Sequence, residues 1–370
     1  MKNGMKNGMS TMTMQLNKIA AVLLLAAPGC VLAESSVVVY GRIHAGFDRI
    51  ETSSSATAPN GESVSRVSDN SSKIGFRGRE DLGNGNTAFF QIEGNAKLDD
   101  GTGAINSKDT FVGLENPAYG RIALGRFATP IRQINGYTNR FVGEGIQDDA
   151  NISQLGGEGF NRRSSNAVSY RTPVVQGFSA TIYRASENEA SNGDRIYSGI
   201  VQYVNGPVKG AVGYEKHKDL RPGFSEKMFR AVGNYNFGGG DVGVAWNRMV
   251  YDVAGGDVQR DYFTITGAYK AGGGSFIGRF GVAGDVSGSA PNGSSVTIKA
   301  TTLVRGDDSG AKQATLGYEY YLSKRSTVYA YYTQTNNDKN ANYTFGGNAF
   351  AATKKGAKLS GVMLGVIHLF

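Results

Sequence analysis

From residue 37 to the end, segments of about ten residues alternate apolar and polar side chains, and the connections between them alternate short and long. Val37, Val39, Ile43 and Phe47 share one parity, while Tyr40, Arg42, His44 and Asp48 share the other. Ile74 and Phe76 alternate with Lys73, Gly75, Arg77 and Arg79; Val242, Val244 and Trp246 alternate with Gly243, Ala245 and Asn247. A period of two with one polar face describes a strand between two different environments. The short connections are Gly83-Asn84-Gly85, Ala118-Tyr119-Gly120, Pro173 to Gly177, Asn205-Gly206-Pro207, Gly238-Gly239-Gly240, Ala271 to Gly274 and Ser323 to Ser326. Between them lie longer polar stretches: Glu51 to Val67, Asp99 to Asn106, Pro130 to Arg163, Glu187 to Gly193, Asp219 to Glu226, Val253 to Gln259, Ser287 to Gly310 and Asn336 to Gly356. Seven short and eight long connections join sixteen strands. An even count brings both termini to one side, where the first strand can pair with the last. Short turns on one rim and long loops on the other are the build of a membrane-spanning β-barrel.

Many positions on the polar parity carry Gly, Ser, Arg or Lys, which would ruin the packed core of a secreted β-sandwich, the competing soluble fold. In lipid the polarity inverts: the apolar face turns outward, and closure of the sheet pairs every backbone N–H and C=O. Only 40% of the residues are apolar, which excludes a bundle of spanning helices. The 53 Gly, 19 Tyr and 18 Phe suit short strands and tight turns. The fold expected is therefore all-β, a 16-stranded antiparallel transmembrane β-barrel with short periplasmic turns and long external loops. A single Cys and three His (His44, His217, His368), none at metal-site spacing, leave no candidate metal centre and call for no cofactor.

The first 33 residues read as a separate object. Lys2, Lys6 and Lys18 form a positive leader without an acid, and Ile19 to Ala27 make a short apolar core ahead of Val31-Leu32-Ala33. This is the pattern of a secretory signal peptide, too short for a stable span. Cleavage after Ala33 leaves residues 34–370 as the barrel domain and, with three lysines gone from a net +8, a net +5. The duplicated Met-Lys-Asn-Gly opening also allows a start at Met9, Met12 or Met14. Cys30 follows Ala27-Pro28-Gly29, which lacks the Leu of a lipidation site and places a Pro within it.

The chain resembles the trimeric general porins of Gram-negative bacteria. The resemblance rests on Ser71-Ser72-Lys73-Ile74-Gly75-Phe76-Arg77-Gly78-Arg79-Glu80-Asp81-Leu82-Gly83-Asn84-Gly85, Phe111-Val112-Gly113-Leu114, Gly120-Arg121-Ile122-Ala123-Leu124-Gly125-Arg126, and a terminal Phe370 with His368 two before it. It implies a homotrimer in the outer membrane, among lipid and lipopolysaccharide, with each barrel a water-filled channel for passive diffusion of ions and small hydrophilic solutes. It implies that Phe370 is the assembly signal read by the barrel-assembly machinery. It also implies that the loop after strand five, Pro130 to Arg163, folds inward and narrows the pore. That loop contains Glu144, Asp148, Asp149 and Glu158 beside Arg132, Arg140 and Arg162, and lacks the Pro-Glu-Phe-Gly turn of the enterobacterial porins. Facing its acids, the resemblance places a basic wall of Arg42, Lys73, Lys108, Arg126 and Arg163. Parity supports Arg42 and Lys73 independently, since both lie opposite the apolar face of their strands.

Cations opposite carboxylates in a narrow slot set up a transverse field that sorts ions and orients dipolar solutes. With five basic wall residues in such a slot, only partly offset by Glu144, Asp148 and Asp149, moderate anion selectivity is expected, weakening as salt rises. The competing class is a substrate-selective channel or a barrel adhesin; no ladder of aromatics and arginines stands out along the strands. No Ser/His pair with a supporting acid suggests an enzyme. No aromatic-basic stripe or reading helix suggests nucleic acid. Asp99-Asp100, Asp148-Asp149 and Asp307-Asp308 lack EF-hand spacing and read as solvated or lipopolysaccharide-bridging loop acids rather than Ca²⁺ ligands.

Overall fold

Strand by strand, the chain alternates as its side-chain pattern demands. A computed structural model describes residues 36–53, 61–155, 159–187, 194–298, 301–346 and 354–370; the expected leader 1–33 and Glu158 lie outside these. In chain order the strands are β1 (Ser36–Thr52), β2 (Ser63–Asp69), β3 (Lys73–Gly83), β4 (Asn86–Asn95), β5 (Thr110–Asn116), β6 (Gly120–Ala128), β7 (Arg163–Arg171), β8 (Phe178–Ala185) and β9 (Arg195–Asn205). Then follow β10 (Val208–Arg221), β11 (Phe224–Asn236), β12 (Gly240–Val253), β13 (Gly256–Ala271), β14 (Gly274–Ala283), β15 (Ser295–Ile298), β16 (Thr301–Val304), β17 (Ala311–Tyr321), β18 (Ser326–Asn337) and β19 (Lys358–Leu369).

Seventeen of these strands form one antiparallel sheet, and β15 and β16 make a separate hairpin. β2 and β3 both pair with β1, one with Ala45 to Glu51 and the other with Ser36 to Arg42. They are therefore two halves of one stave, and the barrel has sixteen. The stave breaks at residues 70–72, where Asp69 accepts the backbone N–H groups of Ser71 and Ser72 and Ser71 takes a left-handed φ of 72°. Such a conformation in a residue other than glycine is held only by its surroundings. β1 also pairs with β19, from Arg42 opposite Leu369 to Thr52 opposite Leu359, which closes the sheet and leaves no free edge. At this seam Gly41 and Phe370 exchange both backbone hydrogen bonds, at 3.0 and 3.2 Å.

The two faces divide as the alternation requires. Val112, Leu114, Ile122, Leu124, Val242, Val244, Trp246, Val362, Leu364 and Val366 are 39–56% exposed on the outside. The intervening His44, Asp48, Ala123, Ala245, Asn247 and Met363 are buried within. A continuous apolar outer band of this kind is stable against hydrocarbon, not water. None of the described helices is long and apolar enough to cross a membrane.

Two connections differ from expectation. Where Asp219 to Glu226 and Val253 to Gln259 read as long loops, the strands run on and meet in two-residue turns, at 222–223 and 254–255. Their charged residues are satisfied within the ladder itself: Arg221 pairs with Glu226 at 2.6 Å, and Ser225 N–H donates to Asp252.

Candidate functional site

The connection between β6 and β7 folds into the barrel. Pro130 opens a one-turn helix α1 (Pro130–Gln133), where its fixed φ suits the first turn. A 3-10 turn follows at Ile134–Tyr137, and helix α2 (Ala150–Gln154) ends at Leu155 with φ 59°. Ile131, Ile152, Leu155 and Phe160 are buried against Met228, Met249, Tyr251 and Tyr262 on β11–β13. Phe141 and Ile146 are buried against Tyr331, Leu359 and Met363 on β18–β19. The loop is thus an apolar lining glued to one side of the lumen. Wall arginines fix the loop: Arg230 donates to the side-chain Oδ1 of Asn135 at 2.7 Å, Arg260 to the Ile152 carbonyl and Arg279 to the Gln147 carbonyl. Arg140 closes an ion pair with Asp241 at 2.5 Å. His217 supports the loop from beneath, stacking on Phe160 at 4.5 Å while its two ring nitrogens face Glu215 at 2.8 Å and Glu226 at 3.0 Å.

The loop reaches β1 and the broken stave beside it at Gly143, whose φ of 84° suits glycine and where a Cβ would collide with His44 and the Asn70 carbonyl. This contact delivers Glu144 to the broken stave, its N–H on the Asn70 carbonyl at 3.4 Å. The carboxylate keeps 44% exposure and pairs with Arg132 at 3.3 Å. Burial pushes its carboxyl up, but Lys108, Arg132, Arg163 and Arg42 together outweigh that and hold it below the usual range.

The cations around it are not equivalent. Lys73 pairs with Glu93 at 2.6 Å and Arg163 with Asp109 at 2.6 Å. Arg42 donates to the Ser71 carbonyl at 2.7 Å and Lys108 to the Ser71 hydroxyl at 2.9 Å. Among the described residues neither Arg42 nor Lys108 has a carboxylate within 4.0 Å. Burial lowers the Lys108 ammonium to about 8. The ring thus holds five cations (Arg42, Lys73, Lys108, Arg132, Arg163) against Asp69, Glu93, Asp109 and Glu144.

Three residues of the expected constriction lie elsewhere. Arg126 alternates with the exposed Ile122 and Leu124, bonds Ser165 at 2.9 Å, and lies on the outer face; Ala123 and Phe127 take the inward positions of β6. Asp148 and Asp149 are only 5% and 4% exposed. Asp149 anchors the loop, accepting from Tyr262 at 2.9 Å and pairing with Arg279 at 3.2 Å. Asp148 caps the N–H of Ala150, and burial, with Glu144 and Asp149 nearby, raises its carboxyl to about 7. Neither is a fixed negative charge on the opening. The acids Glu93 and Asp109 were missed in the sequence, and Arg132, noted there as a cation of the loop, was not counted among the cations of the constriction. Glu93 carries a signal that could have found it: a carboxylate inside a membrane strand must face the lumen.

A closed barrel with an apolar outside, a charged inside and a loop drawn across the lumen defines a membrane channel. The Gram-negative porin family matches residues 20–340, and the chain belongs to it. It is similar over nearly its whole length to outer membrane porin protein 32 of Delftia acidovorans, at 27% identity over 95% of this chain and 99% of that one. A second relative, an outer membrane porin protein of Bordetella pertussis, is 28% identical over 86% of this chain and 93% of its own. Among solved structures, an anion-selective porin from Comamonas acidovorans superposes with a TM-score of 0.74 at 25% identity, covering 91% of this chain and 100% of that one. The trimer form of OmpT from Vibrio cholerae superposes at 0.65 with 16% identity, covering 91% and 99%, and shares the fold. The chain is an outer-membrane porin, a passive diffusion channel.

Proposed function

We propose that the channel prefers anions, and that Arg42 and Lys108 set the preference. The observation that carries this reading is their convergence on Ser71 with no carboxylate within ion-pair distance, beside a Glu144 already engaged by Arg132. Fixed charge on a rim is screened within about 8 Å at physiological salt. In a slot of comparable width the fields of both walls overlap, so an unpaired pair of cations decides the sign. The similarity to a porin whose own description is anion-selective agrees with this.

The test is the reversal potential in a KCl gradient, followed through pH. Lys108 is charged below about 8 and neutral above it, so anion preference should fall as pH rises from 7 to 9. Lys108→Met should remove that step and leave a flat profile. A cation-selective wild type would overturn the sign; an unchanged pH step in the variant would place the titrating group elsewhere.

The same reading takes the chain as a channel rather than an enzyme. The Ser326–His368 pair at 2.9 Å lies exposed, and among the described residues no carboxylate orients His368. It also takes the assembled form as a homotrimer and residues 1–33 as a cleaved export signal, with lipopolysaccharide around the loops. Phe370 serves as the assembly signal, supported by its place on the seam opposite Gly41. A chain ending at Leu369 should accumulate far less of the heat-modifiable trimer band in outer membranes. Equal trimer levels would count against this role.

A further inference from the structure

The lumen on the short-turn side of the charged ring contains a feature that passive diffusion does not require. Inward positions of four strands carry aromatic rings in edge-to-face series: Phe89 to Phe111 at 6.0 Å, Phe111 to Phe127 at 5.7 Å, and Phe127 to Tyr183 at 5.3 Å. Inward faces of porin barrels are polar, so an apolar series on the water side stands out. The Phe89 ring lies over Gly113, where a Cβ would strike it, so that glycine keeps the ring flat against the wall.

Arg121 stacks on this series, its guanidinium 4.0 Å from the Phe89 ring centre and 5.7 Å from that of Phe111. Its register partner across β6–β7 is Arg171, on the same inward face. Like charges directly opposite on adjacent strands destabilise a sheet unless something bridges them. Glu115, the partner of Arg121 on the other side, is engaged by Arg79. Among the described residues, neither Arg121 nor Arg171 has a carboxylate within ion-pair distance. The two arginines line a recess of about 240 Å³ together with Phe111, Phe127 and, from the inward loop, Gln133. Asp109 also borders it, but its carboxylate is held by Arg163.

We propose that this recess binds aromatic carboxylates, the ring against Phe111 and Phe127 and the carboxylate bridging Arg121 and Arg171. Two guanidinium groups, one stacked and so pre-oriented, suit a planar carboxylate far better than a halide. Phe111 and Phe127 offer a ring both edge and face contacts. The site lies between the charged ring and the short-turn mouth, so a solute that passes the ring meets it next. Binding there must be weak enough to release, as conduction demands. The inference rests on the anion-passing reading above, yet it involves none of the residues that set the ionic preference.

The experiment is single-channel recording in KCl with benzoate, cyclohexanecarboxylate or acetate added to the short-turn side. Benzoate should interrupt the current at concentrations at least tenfold below acetate, with cyclohexanecarboxylate between them. In Arg121→Gln/Arg171→Gln the benzoate effect should fall at least tenfold while the KCl reversal potential keeps its sign. In Phe111→Leu, with both arginines present, benzoate should act no better than cyclohexanecarboxylate. Equal action of benzoate and acetate on the wild type would overturn the proposal without any variant. So would undiminished benzoate block in the double-arginine variant. A cation-selective wild type that benzoate still blocks would overturn the ionic reading and leave the recess standing.

Discussion

Replacing Arg42 and Lys108 together by glutamate should turn the channel from anion- to cation-preferring. The ring holds five cations and four carboxylates around the opening; the double variant would hold three and six. At a separation of about 5 Å a unit charge contributes about 0.8 kcal/mol even at the dielectric of water, and more beside protein. A change of four units therefore exceeds the roughly 1.4 kcal/mol that equals tenfold in partition. The permeability ratio of chloride to potassium should shift by at least tenfold, through unity. Lys73→Glu or Arg163→Glu should do less, because each of these cations already faces a carboxylate at 2.6 Å. Reversal potentials in a KCl gradient measure all three. An equal shift in all of them would mean that pairing does not decide which cations matter.

Arg279→Ala should release the inward loop and raise single-channel conductance, with added current noise. Arg279 and Asp149 are both buried, so the loop's ion pair is fully withdrawn from water. Removing one partner of such a pair leaves a buried, uncompensated charge, a loss of about 3–5 kcal/mol. The Gln147 carbonyl would lose its donor as well, and Phe141 the cation stacked 5.1 Å from its ring. The apolar contacts of Phe141 and Ile146 with β18–β19 cannot hold that segment in place once a charge beneath it seeks water. Arg279→Met with Asp149→Asn removes both charges and should bring conductance back toward the wild type. If the single and double variants conduct alike, the ion pair is not what holds the loop.

The sixteen staves and their in–out polarity were legible because alternation and loop length are local properties. A residue such as Phe47 or Val244 declares its face through its neighbours two positions away. The broken stave at residues 70–72 was not legible, since its left-handed serine depends on Asp69 accepting two N–H groups. Nor were the tight turns at 222–223 and 254–255, where polar residues that look like loop are paired across a ladder. The loop acids show the limit most plainly. Glu144, Asp148 and Asp149 sit within six residues of one another, yet only Glu144 faces the opening. What separates them is Arg279 and Tyr262, more than a hundred positions later in the chain. Arg126 follows the same logic in miniature: its Gly-Arg pairing resembles a wall cation, but Phe127 needs the inward position and leaves Arg126 the outward one.

The seam between β1 and β19 makes folding a problem of timing. Arg42 meets Leu369 across it, so the contact that completes the cylinder is almost the most distant the chain can form. Such non-local closure is slow, because loop entropy is lost before the contact rewards it. Until β19 arrives, β1 presents a bare ladder of hydrogen-bonding groups, open to any other strand nearby. The cylinder is therefore complete only when its last strand meets its first. Before that event every partial sheet keeps two open edges, so an unfinished barrel is exposed to pairing with other chains in a way the finished one is not.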